Sequence, residues 1–267
     1  MRRIVEAALA LAPLLLAAAP ARAETLRDLC PDRPGLGTPA CTMDPGHVQI
    51  ELGLGDWTLT RDPGAREDDL TTGDLLVRYG LTPSLEMQVG WTAYTHVRTR
   101  AGGVVAHQSG IGDVRLALRQ NLHNPDGSGF SAALMPYVSL PTGSDGIGAG
   151  DWGAGLIVPV SDRLSQKVTL DFTGEADAAV DADGNGRHFA YSAVFGVDVA
   201  LSDKVGTTWE LSVARDEDPS GHSTQLLAGL SADWTPGSNT QLDVGTNVGL
   251  NRNVPDVEVY FGVAQRF

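Results

Sequence analysis

The stretch QLDVGTNVGL, from Gln241 to Leu250, places an apolar or threonine side chain at every second position. Polar residues and glycines occupy the positions between them. The stretch VEVYFGVAQRF, from Val257 to Phe267, repeats this alternation, with Gln265 as the exception on its apolar face. Successive side chains of a strand point to opposite faces, whereas a helix needs a spacing near 3.6 residues. Both stretches are therefore predicted to be β-strands with one apolar and one polar face.

The same alternation extends back along the chain to His47 and divides it into twelve segments. Their approximate spans are 47–60, 69–81, 84–97, 109–122, 129–140, 150–160, 165–179, 188–201, 205–216, 222–234, 238–250 and 256–267. Most are longer than the ~9–11 residues with which a tilted strand crosses a bilayer. Short connections alternate with longer ones, as in outer-membrane barrels. The sequence predicts an all-β fold, an antiparallel transmembrane β-barrel of about twelve strands, and the alternative is a soluble β-sandwich or a secreted barrel.

The polar faces of the predicted strands carry many charged residues, which suit a wet interior better than a dry core. The candidates for lining this interior are Glu51, Arg78, Glu86, Arg115, Arg119, Asp171, Asp198, Glu210, Asp243 and Glu258. The three arginines are expected to face acidic residues across the interior. Such a ladder either shapes the field of a pore or forms a structural network that fills a narrow lumen. The sequence leaves both alternatives open.

The composition is acidic, because 33 Asp and Glu residues against 19 Lys and Arg residues give a formal net charge of −14. Nucleic-acid binding is not expected, since phosphate contacts need cationic side chains. The mean hydropathy of −0.08 averages apolar and polar positions that alternate one residue at a time. Several of the predicted long loops, such as 61–69 and 216–222, are acidic. They either bridge divalent cations to lipopolysaccharide phosphates or form a solvated acidic surface.

The N-terminal residues 1–23 have the features of a secretory signal peptide. Arg2 and Arg3 precede a stretch that is mostly apolar, and Ala21-Arg22-Ala23 supplies a small-x-small cleavage pattern. Residues 24–46 are predicted to be a periplasmic or lumen-plugging segment, and residues 47–267 are predicted to be the barrel.

The two cysteines of the chain, Cys30 and Cys41, flank a stretch rich in proline and glycine. Such a stretch is typical of turns. In an exported protein the pair is expected to form a disulfide that closes a small loop, and metal binding is the alternative.

Five stretches resemble one family of outer-membrane proteins. They are DRPGLGTPACTMDPGHVQIELG (32–53), VRYGLTPSLEMQVG (77–90), GIGDVRLALRQNL (110–122), SLPTGS (139–144) and the stretch 241–267. The family is the "putative MetA-pathway of phenol degradation" group of transporter-like β-barrels. The resemblance implies a barrel in the outer membrane of a Gram-negative bacterium, in contact with its lipids and lipopolysaccharide. It also implies passive diffusion of small solutes, aromatic or hydrophobic compounds among them.

The last strand also resembles the C-terminal signal that the barrel-assembly machinery reads. Phe261, Val263 and Phe267 are the candidate residues of this signal, since they lie at alternating positions before and at the end of the chain. The machinery is therefore an expected partner of the protein.

Evidence for chemistry in the sequence is sparse, so neither an enzyme nor a cofactor is expected. The six histidines show no metal-ligand spacing, and the chain has no G-x-S-x-G motif. Besides a solute channel, the alternatives are a structural or adhesive barrel with a closed lumen and, with less support, a barrel lipid hydrolase.

One loop matches the first half of a calcium-binding loop. In DADGNG, residues 181–186, Asp181, Asp183 and Asn185 are weak candidate ligands. The twelfth position of such a loop is Ser192 instead of a glutamate. A polar turn is the alternative interpretation.

Overall fold

The computed structural model describes residues 26–267, so the predicted signal peptide lies outside the described residues. The described chain forms thirteen β-strands. They are β1 (Val48–Asp62), β2 (Ala65–Thr82), β3 (Leu85–Ala101), β4 (Val104–Gly110), β5 (Val114–His123), β6 (Phe130–Leu140), β7 (Gly153–Arg163), β8 (Val168–Val180), β9 (Arg187–Ser202), β10 (Val205–Asp216), β11 (Ser223–Gly237), β12 (Thr240–Gly249) and β13 (Val257–Arg266). Within residues 26–267, no helix is long and apolar enough to cross a membrane.

Twelve of the strands form one closed antiparallel barrel, as the sequence predicts. β3 pairs with both β2 and β5, and β13 closes the ring by pairing with β1. At this junction the Phe267 N–H donates a hydrogen bond of 2.8 Å to the Val48 carbonyl oxygen. The short β4 pairs only with the last part of β3, residues 95–101, and lies outside the ring. Closure satisfies the backbone hydrogen bonds that an open edge would leave unpaired in lipid.

The barrel is apolar outside and charged inside. Phe195 and Trp209 on its outer face are 55% and 56% exposed, whereas Arg78, Glu86 and Arg119 on its inner face are 0% exposed. A protein dissolved in water hides its large apolar side chains and shows its charges. The reverse distribution is that of a barrel surrounded by lipid.

The two ends of the barrel differ in their connections. At one end, which we call the turn end, β2–β3, β9–β10 and β11–β12 are each joined by two residues. At the opposite end, the loop end, 12 residues join β6 to β7 and 7 residues join β12 to β13. β1 begins and β13 ends at the turn end, so both ends of the barrel sequence lie there.

Two of the predicted long loops are β-structure, and here the expectation is wrong. In place of a loop at 61–69, β1 and β2 continue to a tight turn at Pro63 and Gly64. The backbone φ angle of Gly64 is +84°. Residues 98–108, which connect the predicted strands 84–97 and 109–122, form the β3–β4 hairpin instead of a loop, and the predicted strand 109–122 is divided at residues 111–113. Hairpins that project beyond the bilayer need no apolar face. The alternation that identifies strands therefore ends there, although the strand pairing continues.

Candidate functional site

Residues 26–46, which we call the plug segment, lie against the inner wall of the barrel near the turn end. The Cys30–Cys41 disulfide closes a loop within this segment, as expected. The Met43 N–H donates a 2.7 Å hydrogen bond to Glu86, and the Asn121 side chain donates one of 2.8 Å to the Ala40 carbonyl oxygen. The plug segment is therefore tied to side chains that project inward from the barrel strands.

An ion-pair cluster holds one side of the plug segment. It consists of Asp32 from the plug segment and of Glu51 (β1), Arg78 (β2), Glu86 (β3) and Arg119 (β5). Arg78 lies 2.9 Å from Glu86, 3.2 Å from Glu51 and 3.0 Å from Asp32. Arg119 lies 2.7 Å from Asp32 and 3.4 Å from Glu86. Two guanidinium groups thus join three carboxylates across four strands.

The tip of the plug segment, residues 33–36, reaches the opposite wall. The N–H groups of Leu36 and Gly37 each donate a 2.7 Å hydrogen bond to the Glu210 carboxylate on β10. Arg33 forms an ion pair of 3.0 Å with Asp243 on β12. These contacts hold the tip across the lumen, between β10 and β12.

Glycines on the wall make room for Arg33. A Cβ atom at Gly262 on β13 would lie 2.5 Å from Arg33 Nε, and one at Gly53 on β1 would lie 3.2 Å from Arg33 Nη1. Real Cβ atoms essentially never approach another heavy atom as closely as the first distance. A side chain at position 262 would therefore displace the Arg33 guanidinium from its present place.

The plug segment leaves part of the lumen empty. A cavity of about 640 Å³ lies between it and the turn-end part of β8–β11, which we call the open wall. Asp171, Asp198, Glu210 and Asp233 face this cavity. At its edge on the turn end lie the cationic residues Arg163, Lys167 and Lys204. By contrast, the tight wall, formed by β1, β2, β3 and β5, contacts the plug segment directly through the ion-pair cluster.

A second cavity, of about 190 Å³, lies beside the tip on the side of β1, β2, β12 and β13. Asp56, Asp74, Glu258 and Tyr260 line it. Arg33 and Pro34 line both cavities, so the tip separates them.

The ten residues predicted to line the interior fall into three groups. Glu51, Arg78, Glu86, Arg119, Glu210 and Asp243 contact the plug segment. Asp171 and Asp198 face the larger cavity, and Glu258 faces the smaller one. Arg115 does not join the other two arginines. It lies 3.6 Å from Glu175, and its guanidinium carbon is 3.5 Å from the centre of the Tyr137 ring.

The alternation in the sequence does not predict three residues of this site. Asp32 and Arg33 belong to the plug segment, which has no strand alternation. Asp56 would lie on the outer face if β1 alternated without interruption. A β-bulge between Gly53 and Gly55 shifts the register with β13, and this turns Asp56 inward. A glycine pair within a strand is the only signal for it in the sequence.

The predicted calcium ligands do not converge on one point. Asp183 accepts a 2.8 Å hydrogen bond from the Asn185 N–H, as in a polar turn. Asp181 instead lies 3.0 Å from His188 Nδ1, beside Asp218 of the β10–β11 loop. Hydrogen bonds from the Ser220 hydroxyl, followed by those from the Ala182 and Ser220 N–H groups, lower the pKa of Asp218 to about 2.

The candidate assembly-signal residues lie on the last strand and at the chain end. Phe261 and Phe267 are exposed on the outer face, and Val263 is half-buried between them. Their recognition by the assembly machinery stays a prediction.

Comparison with known proteins identifies both a family and a fold. A family model described as "Putative MetA-pathway of phenol degradation" matches residues 31–267. None of the curated proteins matches the chain. The NanC porin is similar with a TM-score of 0.52 and 9% identity, over 82% of this chain and 98% of that chain. The translocator domain of the autotransporter NalP from Neisseria meningitidis is similar with a TM-score of 0.51 and 15% identity, over 83% and 88%. At these identities the likeness shows the fold, an outer-membrane β-barrel.

Proposed function

Because the chain belongs to the "Putative MetA-pathway of phenol degradation" family, we propose that it is an outer-membrane channel of a Gram-negative bacterium. In this proposal small solutes cross by passive diffusion, and the protein has no enzymatic activity. The turn end faces the periplasm, since the short connections of outer-membrane barrels lie on that side. The apolar outer face contacts lipid, and the loop end contacts lipopolysaccharide. The N-terminal plug segment then enters the lumen from the periplasm.

The observation that carries this proposal is the cavity of about 640 Å³ between the plug segment and the open wall. It opens toward the turn end and reaches as far as the tip at Glu210. Beyond the tip lies the cavity of about 190 Å³. A solute that passes from one cavity to the other must displace only the tip, because the ion-pair cluster holds the rest of the plug segment against the tight wall.

The charges of the larger cavity favour cationic over anionic solutes. Asp171 and Asp198 face it from neighbouring strands, and Glu210 and Asp233 lie beside them. Three of the cationic lining residues, Arg163, Lys167 and Lys204, lie at the turn-end edge of the cavity, and a fourth, Arg33, is paired with Asp243. Rings of acidic side chains select cations in channels. Among its described lining residues the cavity has no aromatic side chain. The proposal that aromatic solutes pass through the channel is therefore supported by the family resemblance alone.

A structural barrel with a closed lumen is the alternative function. The buried ion-pair cluster favours it, because two arginines and three carboxylates fix the plug segment against the tight wall. The two functions differ in whether the tip moves at all.

Electrical recording in planar lipid bilayers distinguishes the two functions. We expect the full-length protein to conduct, and its reversal potential in a KCl gradient to show a preference for K⁺ over Cl⁻. A variant that lacks residues 26–46 is the matched comparison and is expected to conduct more strongly. If that variant conducts while the full-length protein neither conducts nor passes solutes into liposomes, the channel proposal is wrong and the closed barrel is favoured.

A further inference from the structure

Two loops meet around one buried histidine at the loop end of the barrel. His188 lies at the start of β9, directly after the β8–β9 loop, and its side chain is only 5% exposed. Its Nδ1 atom lies 3.0 Å from Asp181 Oδ1 in that loop and 3.4 Å from Asp218 Oδ2 in the β10–β11 loop. One ligand atom from each of these three residues can be chosen so that all lie within 4.8 Å of one another.

The environment of His188 Nδ1 is unusual, because two carboxylates face a single ring nitrogen. A carboxylate can only accept hydrogen bonds, and Nδ1 carries at most one proton. One proton cannot satisfy both Asp181 and Asp218. Asp218 is also held in place, since Ala182 N–H donates a 2.7 Å hydrogen bond to the same Oδ2 atom. A cation in the place of this proton would be attracted by both carboxylates.

Two of the three ligand separations are close to those around a metal ion. Ligand atoms about 2.0–2.1 Å from a tetrahedral zinc ion are about 3.3 Å apart, by simple geometry. The 3.0 Å and 3.4 Å separations from Nδ1 are close to this value.

The other ring nitrogen of His188 supports the same interpretation. Nε2 is buried and has no well-aligned hydrogen-bond partner, although Asp216 Oδ1 lies 3.1 Å away. A metal ion on Nδ1 would place the remaining proton on Nε2, the nitrogen that lies near Asp216. A carboxylate that holds the second nitrogen is the usual companion of a metal-bound histidine.

We propose that Asp181, His188 and Asp218 bind a divalent transition-metal ion, with zinc as the best fit, and that Asp216 orients the histidine ring. An imidazole with carboxylates suits zinc, whereas calcium takes oxygen ligands only. Water completes the tetrahedron. The ion joins the β8–β9 loop to the β10–β11 loop at the mouth of the barrel, and this function is independent of solute transport through the lumen.

Calorimetry with the full-length protein, refolded in detergent and stripped with EDTA, tests the site. We expect one zinc ion to bind per chain and calcium chloride to give no comparable heat. The variants His188→Ala and Asp218→Asn are expected to weaken zinc binding at least tenfold. His222→Ala is the matched control, because His222 lies in the same β10–β11 loop and pairs with Glu217 instead.

Two results would overturn the site. One is wild-type protein that binds no zinc, and the other is zinc binding that persists unchanged in His188→Ala. Because a substitution of the buried His188 can disturb folding, each variant is first checked for the heat-dependent gel shift of a folded barrel. As an independent measurement, cobalt(II) added to the stripped wild type should give the visible absorption of tetrahedral coordination. Asp181→Asn, in the exposed loop, should weaken that absorption, and an unchanged spectrum contradicts the site.

Discussion

The tight wall and the open wall of the lumen differ in their balance of charge. On the tight wall, Arg78 and Arg119 neutralise most of the charge of three carboxylates, and all four wall residues of the cluster are buried. On the open wall, Asp171 and Asp198 face the cavity without a cation beside them. A buried charge must be paired, whereas an unpaired charge must stay hydrated. The plug segment therefore packs most closely where the inward-facing charges are paired.

Removing one arginine from the tight wall should have the largest effect on this difference. Arg78→Met leaves Asp32, Glu51 and Glu86 with Arg119 as their remaining cation. Breaking a buried ion pair in this way costs about 3–5 kcal/mol. We expect a decrease of that size in the free energy of unfolding, measured by urea denaturation of the protein in micelles, and an increased conductance.

Arg100→Met is the control for this change, because Arg100 is an exposed arginine on β3. It should leave both quantities nearly unchanged. Equal stability of Arg78→Met and wild type would show that the ion-pair cluster does not hold the plug segment.

A smaller effect is expected where the tip crosses between the walls. Gly262→Val places a side chain where the Arg33 guanidinium lies, so Arg33 must leave Asp243. Overpacking of this kind typically costs about 1–3 kcal/mol. The tip should become mobile, and bilayer recording should show larger or more frequent openings.

Gly90→Val on β3 is a matched control, since a Cβ atom at Gly90 meets its nearest neighbour at 3.7 Å. If both valine variants open the channel equally, the contact between Gly262 and Arg33 has no special role.

The smallest effect on stability is expected on the open wall. The double variant Asp171→Asn, Asp198→Asn removes two carboxyl groups from the larger cavity without removing a cation partner. We expect little change in the free energy of unfolding but a reversal potential shifted toward zero in a KCl gradient. Asp183→Asn, in the β8–β9 loop, is the control. A reversal potential that stays at the wild-type value would show that the carboxylates of the open wall do not determine ion selectivity.

The alternation of side chains in strands makes much of the fold and of the inner face predictable. Glu51, Arg78 and Glu86 are found in this way, because each lies between outward-facing apolar neighbours. Arg33 is not, because the plug segment is irregular and its partner Asp243 lies 210 residues further along the chain. Long-range contacts of this kind follow from barrel closure and leave no local pattern.

The periodicity of the sequence does not predict two other features of the structure. The β-bulge near Gly55 reverses the alternation, so the sequence pattern does not predict that Asp56 faces inward. The cluster at His188 brings together loops that are separated by more than 30 residues, and the DADGNG motif draws attention to Asp183 and Asn185 instead. Only the pairing of β9 with β10 places the two loops side by side.

The seam between β1 and β13 also implies an order of folding. The plug segment contacts the tight wall at short sequence separations, from 18 residues for Arg33 and Glu51 to 87 residues for Asp32 and Arg119. Its contacts with Glu210 and Asp243 span 173–210 residues. Closing a short loop costs less chain entropy than closing a long one. We therefore expect the plug segment to dock first on the strands that follow it directly, and β13 to close the barrel around it.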